Sequence, residues 1–406
     1  MNYCKKCFYH NEHPLKITFN DGICSGCLIH NEKYKIDWSQ KQDKLKKILR
    51  PYQKINPNGF NCIVPVSGAK DSFFIVDYVK NKLGMRPLLV SYNIHYNSQI
   101  GLRNLAHIKN IFSLPHLVKT VDPKVIKKIT KFTFKKFGSI YWHCIAGQTA
   151  YPVQVAVNFN IPLIIWGAHQ GIDQVGMFSH HDEVEMNRRY RKDHDLFGYE
   201  AEDISLLSNI SIKDLDPFIY PSDKNIDKLG LKGIYLNNYI FWDSRKQNEL
   251  MIKKYNLFSN KIQRTFETYE NVDSNHYTGI HDYLKLLKHG YSIITDNVNR
   301  EIRLKRLNKE TGNYLINKYE NKPIKDLELF KNWLNVDTKT INYVFSKFRN
   351  KKFWQKDLKK WILKKGSNNK IFEEKIDKNF EKKFIINNNL KIKKIKNKLF
   401  LRGWSD

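Results

Sequence analysis

Between Cys62 and Val79 the chain switches character twice within a few residues, and this constrains its fold more than any other feature. Cys62-Ile63-Val64-Pro65-Val66 is a short apolar run of strand type, Ser67-Gly68-Ala69-Lys70-Asp71-Ser72 is small and rich in hydroxyls, and Phe73-Phe74-Ile75-Val76-Asp77-Tyr78-Val79 resumes with helical character. That order predicts a strand over 61–66, a tight turn, and a helix over 71–83. The first N–H groups of a helix have no partner inside it and carry the positive end of its dipole, so such a turn suits an anion. Ser67 and Ser72 add hydroxyl donors, Lys70 adds a cation, and Asp71 offers a carboxylate to Mg²⁺, a hard cation that favours oxygen ligands. The Gly-Lys-Ser/Thr ending of a Walker A loop is missing.

The surrounding pattern says what kind of sheet the turn belongs to. A second strand is predicted over 87–92, a helix over 99–111 with Leu102, Leu105 and Ile108 on one face, and a third strand over 117–121. A basic helix follows over 123–137, another over 144–158 broken or kinked at Pro152, and a strongly apolar strand over 162–167. Strands alternating with helices at this spacing predict an α/β fold with a parallel sheet covered on both faces. Ligands of such sheets sit beyond the carboxyl ends of the strands. Three strand ends therefore become candidates for one crevice: the loop Ser67–Ser72, then Ser91, Tyr92 and Asn93, then Gly167 with Ala168 and His169. Residues 173–230 lose the alternation, a strand returns over 232–236, and a helix follows over 244–256. Residues 310–365 read as amphipathic helices, and the tail from 366 shows weak order.

Two residues separate Cys4 from Cys7, and two separate Cys24 from Cys27, with sixteen residues between the pairs. Two such knuckles predict one tetrahedral four-thiolate zinc site, closed and therefore structural. Gly22 and Gly26 lie where tight turns need a permissive backbone. His10, His13 and His30 are read as bystanders. The remaining thiols, Cys62 and Cys144, are read as buried and structural; His143 beside Cys144 is not expected to face it as a catalytic base would. Residues 38–52 form a polar helix ending before Pro51.

Composition excludes several classes. With 406 residues, 41% hydrophobic, the chain can bury more than one core and is not of disordered type. No apolar stretch is long enough for a membrane span, and Met1-Asn2-Tyr3-Cys4 opens no signal peptide, so a soluble cytoplasmic protein is expected. The net charge of +30 invites a nucleic-acid reading, but lysine is spread along the chain and dense only near the end, at 351–352, 359–360, 364–365 and 391–398. Such charge argues for solubility and for steering of anionic ligands more directly than for a nucleic-acid site.

The loop resembles the Ser-Gly-Gly-x-Asp-Ser signature of the PP-loop ATP pyrophosphatases, with Ala69 in place of the second glycine. Over about residues 1–320 the chain resembles one branch of that group, the N-acetyl sugar amidotransferases of bacterial surface-glycan biosynthesis. The segments that carry the likeness are the cysteine knuckles with Phe19-Asn20-Asp21-Gly22-Ile23-Cys24, Pro87-Leu88-Leu89-Val90, Ile164-Ile165-Trp166-Gly167, Asp193-His194-Asp195-Leu196-Phe197-Gly198, Gly233-Ile234-Tyr235-Leu236 with Phe241-Trp242-Asp243, and His281-Asp282-Tyr283-Leu284-Lys285 with Glu301-Ile302-Arg303. The family's Trp-Gly-Glu reads Trp166-Gly167-Ala168 here, with Asp173 as a substitute carboxylate.

The resemblance implies a zinc-binding segment over 1–50, a PP-loop (adenine nucleotide alpha hydrolase-like) ATP-binding synthetase domain over 51–306, and a helical, lysine-rich region over 307–406. It implies that ATP adenylates the acetamido oxygen of a nucleotide-linked sugar, after which ammonia from a separate glutaminase subunit displaces AMP and leaves an acetamidino group. The sugar would be of lipopolysaccharide or flagellin-glycan type, such as pseudaminic or legionaminic acid or an acetamido uronic acid. Ser67, Gly68, Ala69, Lys70, Asp71, Ser72, Ser91, Tyr92, Asn93 and Gly167 would hold the nucleotide. Asp71, with Mg²⁺, and Lys70, Lys285 and Arg303 would act on the phosphates. Two other readings stay open: a PP-loop enzyme that thiolates tRNA or forms lysidine, disfavoured by the shortage of spare cysteines, and a non-catalytic zinc- and nucleotide-binding scaffold. Membrane and nucleic-acid partners are not expected.

Overall fold

The computed structural model describes residues 1–56, 59–68, 71–273, 276–358, 360–364 and 375–384. Ala69 and Lys70, and the basic run 391–398, lie outside the described residues. The chain opens with an antiparallel pair, β1 (Phe19–Asn20) and β2 (Ile23–Cys24). Asp21 and Gly22 between them both take positive φ, the two-residue turn that an Asp-Gly pair favours. Helix α1 (Ser25–Glu32) follows, then α2 (Trp38–Lys54), capped by Asp37, whose carboxylate accepts the Ser39 and Gln40 N–H groups. The expected stop before Pro51 does not occur. The missing Pro51 N–H removes one helical bond, but Tyr52 packs on the core and Gln53 Nε2 donates to Leu83 O at 2.8 Å, so the last turn stays in place.

The central unit begins with β3 (Cys62–Pro65) and α3 (Ser72–Asp77), the latter continuing into a π-turn over Tyr78–Lys82. Next come β4 (Pro87–Tyr92), α4 (Gln99–Phe112), β5 (His116–Lys119), α5 (Pro123–Phe137), α6 (Trp142–Asn158) and β6 (Leu163–Trp166). The short helices α7 (Gln170–Asp173), α8 (Arg188–Tyr190), α9 (Ala201–Leu207) and α10 (Asp223–Leu229) fill the stretch where the alternation fades, before β7 (Lys232–Tyr235) and α11 (Ser244–Tyr255).

Strands β3 to β7 form a five-stranded sheet in the order β5-β4-β3-β6-β7, with every pair parallel. Side chains alternate between its faces: Cys62, Val64, Leu89, Leu163 and Ile165 enter one core, while Ile63, Leu88, Val90 and Ile164 enter another. Both faces are covered, so these strands read as continuous apolar runs. Two helix predictions need correction. On α4 the buried face is Gly101, Asn104, Ile108 and Phe112, and Leu102 is 52% exposed. Helix α6 runs through Pro152 unbroken, because its buried residues hold it against the sheet on both sides of the proline.

Beyond α11 lie α12 (Thr278–His289), α13 (Ile293–Arg303), α14 (Lys309–Glu320), α15 (Leu327–Leu334) and α16 (Thr338–Phe348). The helical expectation for 310–365 fails at its end, where β8 (Trp354–Asp357) and β9 (Lys360–Leu363) make a hairpin. Trp354, Trp361 and Ile362 are aromatic or β-branched residues that suit a pleated surface. Phe330, Leu334, Ile341 and Val344 share a core with Ile126 and Trp142, so the helical region packs on the flank of the α/β unit. Among the described residues no helix is long and apolar enough to cross a membrane.

Candidate active site

The sheet reverses direction of build-out at β3: the chain adds β4 and β5 on one side, then returns to add β6 and β7 on the other. The crevice past the carboxyl ends of β3 and β6 is therefore the topological switch point. The Ser/Gly loop leaves the sheet there. Ser67 N–H donates to Ser72 Oγ at 2.9 Å, which closes the turn and leaves the Ser72 hydroxyl proton as a donor. Val66 N–H donates to Val90 O at 2.9 Å, and Ser91 Oγ donates to Val66 O at 2.5 Å.

Gly68 lies under α4 with no space for a side chain, since a Cβ would meet Gly101 O at 1.9 Å. Gly101 is itself pressed against Asp273, whose Cα would lie 2.3 Å from an added Cβ. Asn104 Nδ2 donates to Gly68 O and to Phe258 O, both at 3.0 Å, joining the loop to the segment before α12. Asp71 stands at the loop exit without capping its own helix, and its Oδ1 accepts from Asn248 Nδ2 of α11 at 2.8 Å.

The other predicted nucleotide contacts do not all face this crevice. The Ser91 hydroxyl braces two strand ends and meets His116 Nε2 at 2.8 Å. Tyr92 turns into the core, its hydroxyl 3.2 Å from His143 Nδ1, and burial raises its phenol well above the ordinary value. Asn93 Oδ1 accepts from His95 N–H at 3.0 Å and Asn97 Nδ2 at 2.6 Å, ordering the loop after β4. Gly167 lets α3 approach β6, since a Cβ would lie 2.7 Å from Ile75 Cδ1. Asp173 forms a buried pair with Lys33 and is thereby tied to the end of α1. Asn104 and Asn248 went unnoticed in the sequence; a polar residue in the apolar series 101-104-108-112 is the signal that would have exposed Asn104.

Two predicted phosphate ligands lie at the cysteine module. The four sulfurs are mutually within 4.8 Å, with Cys7–Cys24 at 3.5 Å and Cys4–Cys27 at 4.0 Å. Zn–S bonds of about 2.3 Å give a tetrahedron edge near 3.8 Å, so the cluster fits that ion. Among the described residues no histidine joins it: His10 Nε2 meets His289 O, and His13 Nε2 meets the Tyr291 hydroxyl. Arg303 stands beside the sulfurs, with Nε 3.4 Å from Cys27 Sγ and Nη2 3.8 Å from Cys24 Sγ. Four thiolates around Zn²⁺ would leave two negative charges, one of which this guanidinium would offset. Gly26 is small for that reason and not for a turn: a Cβ would lie 2.4 Å from Arg303 Nη2. Lys285 pairs with Asp296, which also accepts from Tyr9 Oη at 2.7 Å. Both cations therefore join the module to α12 and α13.

Cys144 and His143 approach more closely than adjacent positions suggested, with Sγ 3.6 Å from Nε2. Both are buried; burial holds the thiol far above its ordinary value and the imidazole down to about 3, so both are neutral near pH 7 and no thiolate nucleophile forms. A cleft of 340 Å³ among α2, α3 and α11, lined by Trp38, Phe74, Tyr78 and Phe241, takes in none of the loop residues.

Comparison with known proteins gives one family match: residues 254–366 match the model described as LPS biosynthesis protein WbpG-like, C-terminal domain. Comparison with curated proteins finds no match. Among solved structures, one titled "Structure of NMN synthetase from Francisella tularensis" is 14% identical and covers 54% of this chain and 94% of that one, with a TM-score of 0.28.

Proposed function

We propose that this WbpG-like protein of LPS biosynthesis is the synthetase subunit of an AMP-forming amidotransferase, which converts an acetamido group of a nucleotide-linked sugar to acetamidino with ammonia from a partner glutaminase. An amide carbon is a weak electrophile and its oxygen a poor leaving group. Transfer of AMP from ATP to the acetamido oxygen releases pyrophosphate and makes that oxygen part of a good leaving group. Ammonia then adds at the carbon and AMP departs.

The chain supplies position and charge. Amides at the loop and the Ser67 and Ser72 hydroxyls would hold the pyrophosphate, with Lys70 offsetting its charge. Asp71 would hold Mg²⁺, a role its oxygen donors suit, and bound Mg²⁺ would neutralise charge developing on the phosphates. Lys285 and Arg303, engaged at the cysteine module, have no part in this reading. The observation that carries it is the Ser/Gly loop ending in Asp71 at the end of the central strand, beside the point where the strand order reverses.

The test is ATP–pyrophosphate exchange with radiolabelled pyrophosphate and a panel of UDP- and CMP-linked acetamido sugars, with bulk tRNA as a parallel acceptor. Exchange that depends on a sugar, and with ammonium a product in which O is replaced by NH, supports the reading. Exchange that depends on RNA transfers the protein to the tRNA-modifying enzymes, and silence with every acceptor overturns an enzymatic role. Asp71→Ala should abolish AMP formation while the protein melts as the wild type does; wild-type turnover in that variant would remove Asp71 from the chemistry.

A further inference from the structure

The two sides of the crevice differ in how their polar groups are satisfied. On the β4 side the side chains of Ser91, Tyr92 and Asn93 all bond within the protein. On the β6–β7 side a wall of rings leaves its polar tips unpartnered. Strand β6 ends at Trp166 and β7 at Tyr235; the two residues are in register, and their rings stack with centroids 6.4 Å apart. His169, just past β6, is 3% exposed. Its ring lies 4.5 Å from that of Tyr190, 4.7 Å from that of Tyr235 and 5.5 Å from that of Phe178.

The Trp166 indole Nε1 is buried and has no acceptor among the described residues. His169 Nδ1 accepts from Gly171 N–H at 3.1 Å, which a protonated Nδ1 could not do, so Nε2 carries the proton. Among the described residues that N–H has no acceptor, and the hydroxyls of Tyr190 and Tyr235 have no partner. Buried polar groups are normally paired, so a cluster of unmade bonds at one strand edge calls for an explanation, and a ligand supplies one.

The pairing of the strands places this wall beside the loop. Ile63 of β3 is opposite Ile164 of β6, so Trp166 lies level with Pro65, two residues before Ser67 opens the turn. Neighbouring strands are about 5 Å apart, so Trp166 stands one spacing from the end of β3 and Tyr235 two.

Resting on the adenylation reading above, we propose that this ring wall seats the acetamido sugar itself, with Trp166 and His169 donating to its oxygens. Indole and imidazole N–H groups only donate, so the ligand must bring acceptors. The ring faces call for an apolar face of similar size. A pyranose has both, with C–H groups on its faces and oxygens around its rim. A phosphate would call for cations, yet Arg191, which follows Tyr190, is committed to Glu200. Seated here with its acetamido arm toward β3, the sugar presents the carbonyl oxygen to the nucleotide held by the loop.

The test reads binding without ATP, on the full-length protein. Saturation-transfer NMR uses the UDP- and CMP-linked acetamido sugars as probes and UDP and CMP alone as controls. The strongest transfer should fall on the pyranose and N-acetyl protons. Trp166→Phe keeps a ring and removes the N–H, and Tyr235→Leu removes the second ring. His169→Asn removes the Nε2–H while leaving an oxygen to accept Gly171 N–H. By calorimetry each should weaken the sugar nucleotides about 3- to 10-fold and leave UDP, CMP and ATP bound as in the wild type. Melting curves check folding. Wild-type sugar affinity in all three variants would overturn the assignment, as would a wild type that binds no probe. Equal weakening of UDP or CMP alone would give the wall to the base instead, and a parallel loss of ATP would make it structural. Wall-dependent sugar binding without ATP–pyrophosphate exchange would keep this site and remove the adenylation reading.

Discussion

At Gly68 even a methyl group has nowhere to go, because the carbonyl of Gly101 occupies its place and is itself backed by Asp273. Gly68→Ala must therefore push helix and loop apart, at about 1–3 kcal/mol for an overpacked site. The expected result is a lower melting temperature with sugar-dependent exchange reduced further than stability alone accounts for. Asp173 is a different case. Its sequence position beyond β6 suggested an acidic contribution to the nucleotide site, yet it pairs with Lys33, which is almost wholly buried. Asp173→Asn should leave a buried ammonium without a counter-charge and destabilise the fold by about 3–5 kcal/mol in denaturant titration. An unchanged unfolding midpoint would leave Asp173 available as the substitute carboxylate beyond β6. Neither pairing was legible beforehand, since Lys33 and Asp173 are 140 residues apart and local patterns carry no information about such distances.

Among elements, α4 shows how a correct helix can be given the wrong face. The leucines at 102 and 105 and the isoleucine at 108 satisfy helical spacing, but Asn104 serves Gly68 O and Phe258 O, and this rotates Leu102 into solvent. Leu102→Lys should then shift stability by less than about 0.5 kcal/mol, while Ile108→Ala should cost about 2–5 kcal/mol. Urea unfolding of the two variants checks the assignment, and equal losses would contradict it. Strand β3 and its loop were legible because apolar residues followed by Ser, Gly and Asp leave few alternatives. The β8–β9 hairpin was not, because its lysines concealed a short β pattern inside a helical region.

On the scale of the molecule, the cysteine module is a joint between the start of the chain and helices α12 and α13. Tyr9, Lys285 and Asp296 meet on one side of it, and Arg303 of α13 meets the sulfurs on another. One zinc per chain is expected by elemental analysis, and Cys4→Ser should lose it and make residues 1–32 and α13 sensitive to protease together. Arg303→Gln, which leaves the four thiolates but removes their counter-charge, should release zinc to a chelator about 10–100-fold faster. Full zinc retention by either variant would contradict the assignment.

The alternating α/β unit, the anion-suited turn after its first strand, and the two thiol pairs were readable from the order of residues, because each depends on contacts between residues close together in the chain. Where the cations go and which neighbours complete the crevice follow from the packing of distant segments. Arg303 and Lys285 meet the module, and Asn248 reaches Asp71. A side chain's partner depends on which distant segment the cores bring against it, and burial then sets its charge.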